Sequence, residues 1–132
     1  MTLEELEAGA GTVYLFHYTD EIRAAGILEE RLFVTGGNAV FGFGVYATEI
    51  PPLDSSTLDD VIVRCFGGDA IPPEVQHAIV LRRSHGDREF LQTSEPYQWI
   101  LPTAKLGFVD LSELYVGAVL WDGETWRIYD SQ

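Results

Sequence analysis

Alternation between apolar and polar positions predicts more strands than helices along this chain. The clearest strand pattern covers residues 12–18, which are rich in aromatic and β-branched residues. Its alternate side chains divide between two faces, with Val13, Leu15 and His17 on one and Tyr14, Phe16 and Tyr18 on the other. Because both faces are largely apolar, we expect this strand to lie in the centre of a sheet.

The rest of the pattern predicts further strands and two or three short helices. The predicted strands are 32–35, 45–48, 74–83, 90–94, 97–101, 114–121 and 125–129. Asp122-Gly123-Glu124 lies between the last two runs and predicts a hairpin. Helices are predicted over 2–8, from about 20 to 30, and from Leu58 to about Cys65. The predicted class is α+β with a mostly antiparallel sheet.

The predicted helix boundaries depend on caps and glycines. Thr19 is the predicted N-cap of the second helix, whose inward residues would be Ile22, Ala25 and Leu28. The segment Gly36-Gly37-Asn38 predicts a turn, and Gly67-Gly68 predicts the end of the third helix.

Composition indicates one acidic domain that spans residues 1–132. Its 46% hydrophobic content is enough for a core, and its net charge of −13 argues against general affinity for nucleic acids or anionic membranes. Cys65 is the single cysteine, which excludes an internal disulfide framework and a zinc site built from several cysteines. With an acidic N-terminus and no long apolar run, we expect a cytoplasmic, membrane-free domain, or one delivered within a larger secreted toxin.

The candidate chemistry centres on two motifs. Phe41-Gly42-Phe43-Gly44 leads directly into the predicted strand that contains Tyr46, and glycines allow a ligand to approach the backbone closely. Taken alone, this motif is typical of an ordinary glycine turn before a strand. The second motif, Phe16-His17-Tyr18-Thr19, ends the first predicted strand and places a histidine on a neighbouring element.

Together, His17-Tyr18-Thr19 and Phe43-Gly44-Val45-Tyr46-Ala47-Thr48 resemble the ADP-ribosyltransferase superfamily. The resemblance is to its His-Tyr-acid branch, which includes diphtheria toxin and the poly-ADP-ribose polymerases, and especially to compact domains of bacterial polymorphic toxins. It covers about residues 14–52, and the remainder fits by element order. The fold that it implies is a split, mostly antiparallel sheet with short helices.

The resemblance implies an NAD site. Tyr46 matches the tyrosine that stacks on the nicotinamide ring, and His17 matches the histidine that anchors a ribose hydroxyl. The family often has glycine after the histidine, where the backbone clamps the carboxamide; here Tyr18 must turn its side chain away. Thr19, Thr48 and Gly44 match positions that line the pocket. NAD is the expected co-substrate, and no metal is implied.

The third position of the triad departs from the family. The family places an acid, usually glutamate, at the start of a later strand, and Gln98 stands at the best-fitting place. Glutamine can accept the ribose hydrogen bond but supplies no negative charge. Three explanations remain open: transfer with the target's nucleophile sharing the work, a contribution from Glu95, or an acid replaced by glutamine. Gln98 ranks first as the catalytic position, then Glu95, then Asp110.

The implied function is mono-ADP-ribosyl transfer from NAD to a macromolecule, with release of nicotinamide. The acidic balance favours a protein acceptor over nucleic acid, and a toxin of this kind would have an immunity protein as partner. The alternatives are NAD hydrolysis and a non-catalytic acidic binding or immunity module on the same fold. A phosphotransferase acting on RNA ends would need a basic pocket, which the scarcity of Arg and Lys argues against.

Overall fold

A computed structural model describes residues 1–38, 42–66 and 75–131 of the chain. The helices in these ranges are α1 (Leu3–Gly9), α2 (Glu21–Glu30) and α3 (Thr57–Phe66). The strands are β1 (Tyr14–Thr19), β2 (Leu32–Val34), β3 (Gly36–Asn38), β4 (Gly42–Thr48), β5 (His77–Arg82), β6 (Ser84–His85), β7 (Arg88–Glu89), β8 (Leu91–Gln92), β9 (Gln98–Pro102), β10 (Phe108–Asp110), β11 (Tyr115–Trp121) and β12 (Trp126–Ser131). None of the helices in the described ranges is long and apolar enough to cross a membrane.

One large sheet organises the molecule, with strands in the order β12-β11-β5-β1-β4-β9-β8 and with β3 paired to β4. The ladders of this sheet are antiparallel. Two small antiparallel pairs, β10 with β2 and β6 with β7, complete the described strands. The α+β class and the mostly antiparallel sheet are therefore confirmed, as is the central place of β1.

The two central strands, β1 and β4, barely pair with each other. A single register pair, Phe16 with Thr48, joins them, whereas β1 and β5 pair along six residues. The first part of β4 pairs instead with β3, where Gly44 lies opposite Gly36. The strands β1 and β4 therefore separate where β4 precedes Thr48 and β1 continues past Phe16, and this separation opens space within the sheet.

Both faces of the sheet are covered by apolar side chains, as alternation along β1 predicts. Leu15 belongs to the cluster on the face that α2 covers, together with Ile27 of that helix. Phe16 and Tyr18 belong to the opposite cluster, which Leu6 of α1 and Val61 of α3 complete. Because β1 is buried on both faces, its side chains are held in place from above and below.

The helix α2 begins one residue later than predicted. Asp20 is its N-cap and accepts a hydrogen bond from the Arg23 amide at 2.8 Å, so Thr19 stays in β1. Its buried residues are Ala24 and Ile27, which corrects the prediction that Ile22 and Ala25 face inward, whereas Leu28 packs against the core as predicted. Ile22 is 85% exposed, Ala25 is exposed and Leu28 is half-buried. The spacing of apolar residues predicts a helix, but it does not determine which of two neighbouring rows of side chains on that helix faces the sheet.

One predicted turn is a strand, and one further strand was not predicted. Gly36-Gly37-Asn38 is a strand, β3, because β4 begins at Gly42 and offers it a partner. The strand β10 had no counterpart in the prediction and exists because Leu32–Val34 pairs with it. Other predicted strands and helices have counterparts with shifted ends. The predictions that concern Phe41, Gly67-Gly68 and Glu74 lie outside the described residues.

Candidate active site

A cavity of about 820 Å³ lies where β1 and β4 separate. Six of the residues predicted from the two motifs and the third position line it: His17, Tyr18, Thr19, Tyr46, Thr48 and Gln98. Other lining residues come from α2, the β2–β3 segment, α3 and β10, and they include Asp20, Ile22, Arg23, Glu30, Leu32, Val34, Gly36, Cys65 and Phe108. The structure thus brings together six predicted residues that are up to 81 positions apart in the sequence.

His17 and Tyr46 are joined across the gap between β1 and β4. The His17 Nδ1 lies 2.7 Å from the Tyr46 carbonyl oxygen, and because a carbonyl only accepts, Nδ1 carries the proton and donates. The edge of the imidazole also contacts the Phe33 ring, with centroids 5.2 Å apart. The ring is therefore held in one orientation and in one tautomer.

The His17 imidazole is neutral at pH 7. Burial lowers its pKa from 6.5, the hydrogen bond to the Tyr46 carbonyl partly offsets this, and the positive charge of Arg23 lowers the pKa further. In the neutral form with Nδ1 protonated, Nε2 has a free lone pair. His17 can therefore accept a hydrogen bond from a hydroxyl group of a ligand.

Tyr46 is half-buried, and its hydroxyl is already occupied. The hydroxyl donates to the Gly42 carbonyl oxygen at 2.7 Å, and burial raises its pKa. Gly36 of β3 lies beside the ring, where an added Cβ would be 3.6 Å from the Tyr46 Cδ2. The hydroxyl thus fixes the ring, and what the side chain offers to a ligand is an aromatic surface.

The neighbouring motif residues support the cavity wall. The Tyr18 side chain is buried; its hydroxyl donates to the Ile50 carbonyl at 2.7 Å, and its ring meets Trp126 edge-on. Thr19 is buried at the end of β1, and the Thr48 hydroxyl accepts a hydrogen bond from the Ile50 amide at 3.3 Å. The Tyr18 side chain therefore turns into the core, which leaves its backbone at the cavity.

Gln98 begins β9 directly opposite Thr48 in the β4–β9 ladder. Its Nε2 donates to the Cys65 carbonyl oxygen at 2.6 Å, in the last turn of α3. This donor–acceptor pair fixes the orientation of the amide, because the opposite one would place Oε1 against a carbonyl oxygen. Oε1 is consequently the acceptor that Gln98 can offer to a ligand.

Two acidic residues that the sequence analysis ranked behind Gln98 do not line the cavity. Glu95 is exposed in the loop before β9, where its backbone amide donates to the Thr93 hydroxyl at 3.2 Å. Asp110 is exposed on β10, and its carboxylate accepts hydrogen bonds from the amide and hydroxyl of Ser112. Neither residue is among those that line the cavity, although the Glu95 carbonyl oxygen accepts a hydrogen bond from the Gln98 amide at 3.3 Å.

Gly44 also lies outside the cavity lining and has a packing role in the structure. It lies opposite Pro102 of β9 and Gly36 of β3. A Cβ on Gly44 would lie 2.4 Å from the Leu101 carbonyl oxygen and 2.6 Å from Ile100 Cγ1. This residue is glycine because β9 crosses too closely for any side chain.

Sequence reasoning missed the charged residues of the cavity. Asp20, Arg23 and Glu30 all belong to α2 or its N-cap. Arg23 forms an ion pair with Asp20 at 2.5 Å, although the Arg23 side chain remains 67% exposed. The i, i+3 spacing of Asp20 and Arg23 at a helix start was the available signal. Their position beside His17 depends on how α2 packs on the sheet.

Around His17, Tyr46 and Gln98 the cavity offers neutral donors and acceptors beside an aromatic ring, and its charged side chains come from α2 and its N-cap. Burial raises the pKa of the Cys65 thiol, with the Thr48 hydroxyl acting in the opposite direction, so Cys65 is not a thiolate nucleophile. Among the residues that the structure describes, no cluster of His, Cys, Asp and Glu is placed to hold a metal ion. Such a cavity is suited to binding a polar organic ligand with an aromatic part.

Comparisons with protein-family models, with curated proteins and with solved structures each gave no match to this chain.

Proposed function

We propose that this domain is an NAD-dependent mono-ADP-ribosyltransferase that transfers ADP-ribose to a protein and releases nicotinamide. One observation carries the proposal: His17 and Tyr46, named from the sequence motifs, are 2.7 Å apart between Nδ1 and the carbonyl oxygen and line one cavity. That cavity, of about 820 Å³, falls in the range of about 300–1,000 Å³ that small-molecule and cofactor sites occupy.

Each residue of the pair has a defined task in this proposal. The Tyr46 ring, held by its hydroxyl and by Gly36, supplies a flat surface for the nicotinamide ring. His17 accepts a hydrogen bond from a ribose hydroxyl through Nε2, since Nδ1 is already used. The backbone of Tyr18 holds the carboxamide, because its side chain is turned into the core.

Gln98 is the residue closest in role to the family's acid. Its Oε1 accepts a hydrogen bond from the hydroxyl next to the reacting carbon of the ribose, while Nε2 stays on the Cys65 carbonyl. NAD supplies the electrophile: the bond between C1′ and the nicotinamide nitrogen breaks, nicotinamide keeps the electron pair, and the acceptor's nucleophile bonds to C1′ and loses its proton. A neutral amide stabilises the positive charge on the ribose less than a carboxylate does. Slow turnover with water and faster turnover with a good nucleophile are therefore expected.

The test combines nicotinamide release with the transfer of label from NAD. Purified protein is incubated with NAD whose adenine carries a fluorescent or affinity label, with and without a cell lysate, and nicotinamide is measured by chromatography. Tyr46→Ala and His17→Ala should each abolish release and labelling, while His85→Ala, in an exposed position on β6, should leave both unchanged. Folded variants that keep wild-type turnover would overturn the proposal. Nicotinamide release without labelled protein would indicate NAD hydrolysis instead.

The amide at position 98 also favours a second candidate function, an acidic binding module on the same fold. Without a carboxylate at this position, the cavity would bind NAD or a related nucleotide without turning it over. Calorimetric titration separates the candidates. Binding of NAD without nicotinamide release over prolonged incubation supports a module that holds the nucleotide, whereas absence of both NAD binding and turnover contradicts the transferase and favours a module that docks onto a basic partner.

A further inference from the structure

Three large apolar side chains are exposed at the edge of the cavity. They are Ile22 of α2, Val34 of β2 and Phe108 of β10, which are 85%, 59% and 74% exposed. All three also line the cavity. We call these three residues the apolar rim.

The apolar rim is built into the fold. Val34 and Phe108 are direct partners in the β2–β10 ladder, so their side chains lie side by side. The residue adjacent to Val34, Phe33, is 1% exposed and contacts the His17 ring. The same strand that holds His17 in place thus presents Val34 outward. Other exposed apolar residues, such as Val63 and Leu91, do not line the cavity.

The helix α2, which carries Ile22 of the apolar rim, is net acidic, because Asp20, Glu21, Glu29 and Glu30 outnumber Arg23. Glu30 lines the cavity, and Glu21 lies next to Ile22 in the first turn of α2. Among the described residues, neither glutamate has an ion-pair partner, whereas Asp20 is paired with Arg23. With a net charge of −13 on the chain, this surface repels polyanions and attracts cations.

We propose that the apolar rim is a docking surface for a basic segment of the acceptor protein, one that presents an apolar side chain between Lys or Arg residues. A cluster of exposed apolar side chains with a charged border is typical of a protein interaction site. The proposal rests on the proposed function for the identity of the partner as acceptor. Docking here places the bound segment at the entrance of the space between His17 and Tyr46, where a nucleophile must arrive.

The test measures binding directly, without NAD. The probe is a short fluorescent peptide with phenylalanines between lysines and serines elsewhere, and its counterpart has glutamate in place of lysine. Fluorescence anisotropy should show that the basic peptide binds and the acidic one does not. Ile22→Gln and Phe108→Thr should each weaken binding by at least about tenfold, as loss of a central apolar anchor does. Val63→Gln, on α3, and Leu91→Thr, on β8, are matched controls and should bind like the wild type.

The outcomes separate this proposal from the proposed function. Equal binding by Phe108→Thr and the wild type, or equal binding of the acidic peptide, would overturn the docking surface whatever the enzyme does. The proposal would also be overturned if sedimentation equilibrium showed a dimer of the wild type that Phe108→Thr dissociates. In that case the apolar rim would bind a second copy of this chain and not the acceptor protein. In the activity arm, the rim variants should reduce protein labelling by a larger factor than they reduce nicotinamide release without acceptor. A wild type that binds the basic peptide but releases no nicotinamide would contradict only the proposed function.

Discussion

Replacing Gln98 with glutamate tests the candidate site at the position where the sequence departs from the family that it resembles. The substitution keeps the shape of the side chain and exchanges the Nε2 donor for an oxygen. In the folded protein that oxygen would face the Cys65 carbonyl, to which Gln98 now donates at 2.6 Å. The variant therefore loses a hydrogen bond and sets a carboxylate against a carbonyl oxygen, but it introduces the negative charge that an acid supplies at this position in the family that the sequence resembles.

The expected loss of stability follows from that contact. A hydrogen bond of this kind contributes about 0.5–1.5 kcal/mol net, and an acceptor left without a donor costs about 1–3 kcal/mol when buried. Since Gln98 is half-buried, we expect Gln98→Glu to lower the free energy of unfolding by about 1–2 kcal/mol at pH 7. For a domain of this size, that corresponds to a fall in Tm of about 3–8 °C.

The pH dependence distinguishes this cause from general damage. The Cys65 carbonyl should raise the pKa of the introduced carboxyl in the folded state above the usual glutamate value of about 4.3. A carboxyl with a raised pKa destabilises the fold above its folded pKa, and the penalty disappears below its unfolded pKa. The protonated carboxyl can again donate to the Cys65 carbonyl. The difference in Tm between variant and wild type should therefore be largest at pH 7 and shrink towards about pH 4.

Circular dichroism melts across this pH range, together with nicotinamide release at pH 7, form the assay. Gln92→Glu, at an exposed position of the neighbouring strand β8, is the control and should change Tm little. An unchanged Tm for Gln98→Glu at pH 7 would refute the reasoning about the Cys65 contact. Turnover should stay equal or rise if position 98 is that of the acid. Inactive Gln98→Glu together with inactive Glu95→Gln would assign the acid to Glu95.

Three further predictions concern the strands beside the cavity. Gly44→Ala should lower the free energy of unfolding in urea by at least about 1–3 kcal/mol, because its Cβ would lie 2.4 Å from the Leu101 carbonyl oxygen. The pKa values of His17 and His77 are lowered in the folded protein, so below about pH 6.5 the unfolded chain binds more protons than the folded one. The free energy of unfolding should therefore fall as the pH drops below that value. The double variant His17→Asn with His77→Asn should flatten the plot of unfolding free energy against pH between about pH 5 and 6.5. Tyr46→Phe should keep NAD binding in calorimetry, because under the proposed function the ligand contacts the ring, whereas the hydroxyl donates to the Gly42 carbonyl.

Each of these has a control or a contradicting result. Gly26→Ala, where a Cβ meets open space, should stabilise α2 by up to about 1 kcal/mol, in contrast to Gly44→Ala. A double histidine variant with the wild-type slope between about pH 5 and 6.5 would show that neither imidazole resists protonation. Loss of NAD binding in Tyr46→Phe would mean that the hydroxyl, and not the ring, contacts the ligand.

Most elements of the fold were predictable because local patterns agree with the final structure. The alternation along β1 places Leu15 and Phe16 in opposite clusters, as predicted. The hairpin at Asp122 is equally local: its carboxylate accepts the amides of Glu124 and Thr125 at 2.9 Å. Both a turn and the alternation of side chains along a strand are determined by a few adjacent residues, so they can be predicted from the sequence alone.

The predictions were wrong where the conformation or orientation of a segment depends on the other elements that it pairs with or packs against. Gly36 has the character of a turn residue, but it lies opposite Gly44 in the β3–β4 ladder, and that pairing depends on a strand further along the chain. Which side of α2 faces the sheet depends on the residues that Ala24 and Ile27 contact there. The spacing of apolar residues along the helix does not contain this information. In the site, the motifs indicated His17 and Tyr46, whereas the contact of Gln98 with Cys65 required knowledge of where α3 ends.

The single residue pair between β1 and β4 has a mechanical consequence. The sheet consists of two parts, one containing β1 and β5 and the other β4 and β9, which backbone pairing joins only at Phe16 and Thr48 among the described residues. A ligand that contacts both His17 and Tyr46 would brace these two parts against each other, so its affinity depends on the angle between them. By thermodynamic reciprocity, bound ligand would raise the melting temperature, and substitutions at Phe16, which lies at this junction and also lines the cavity, would weaken binding.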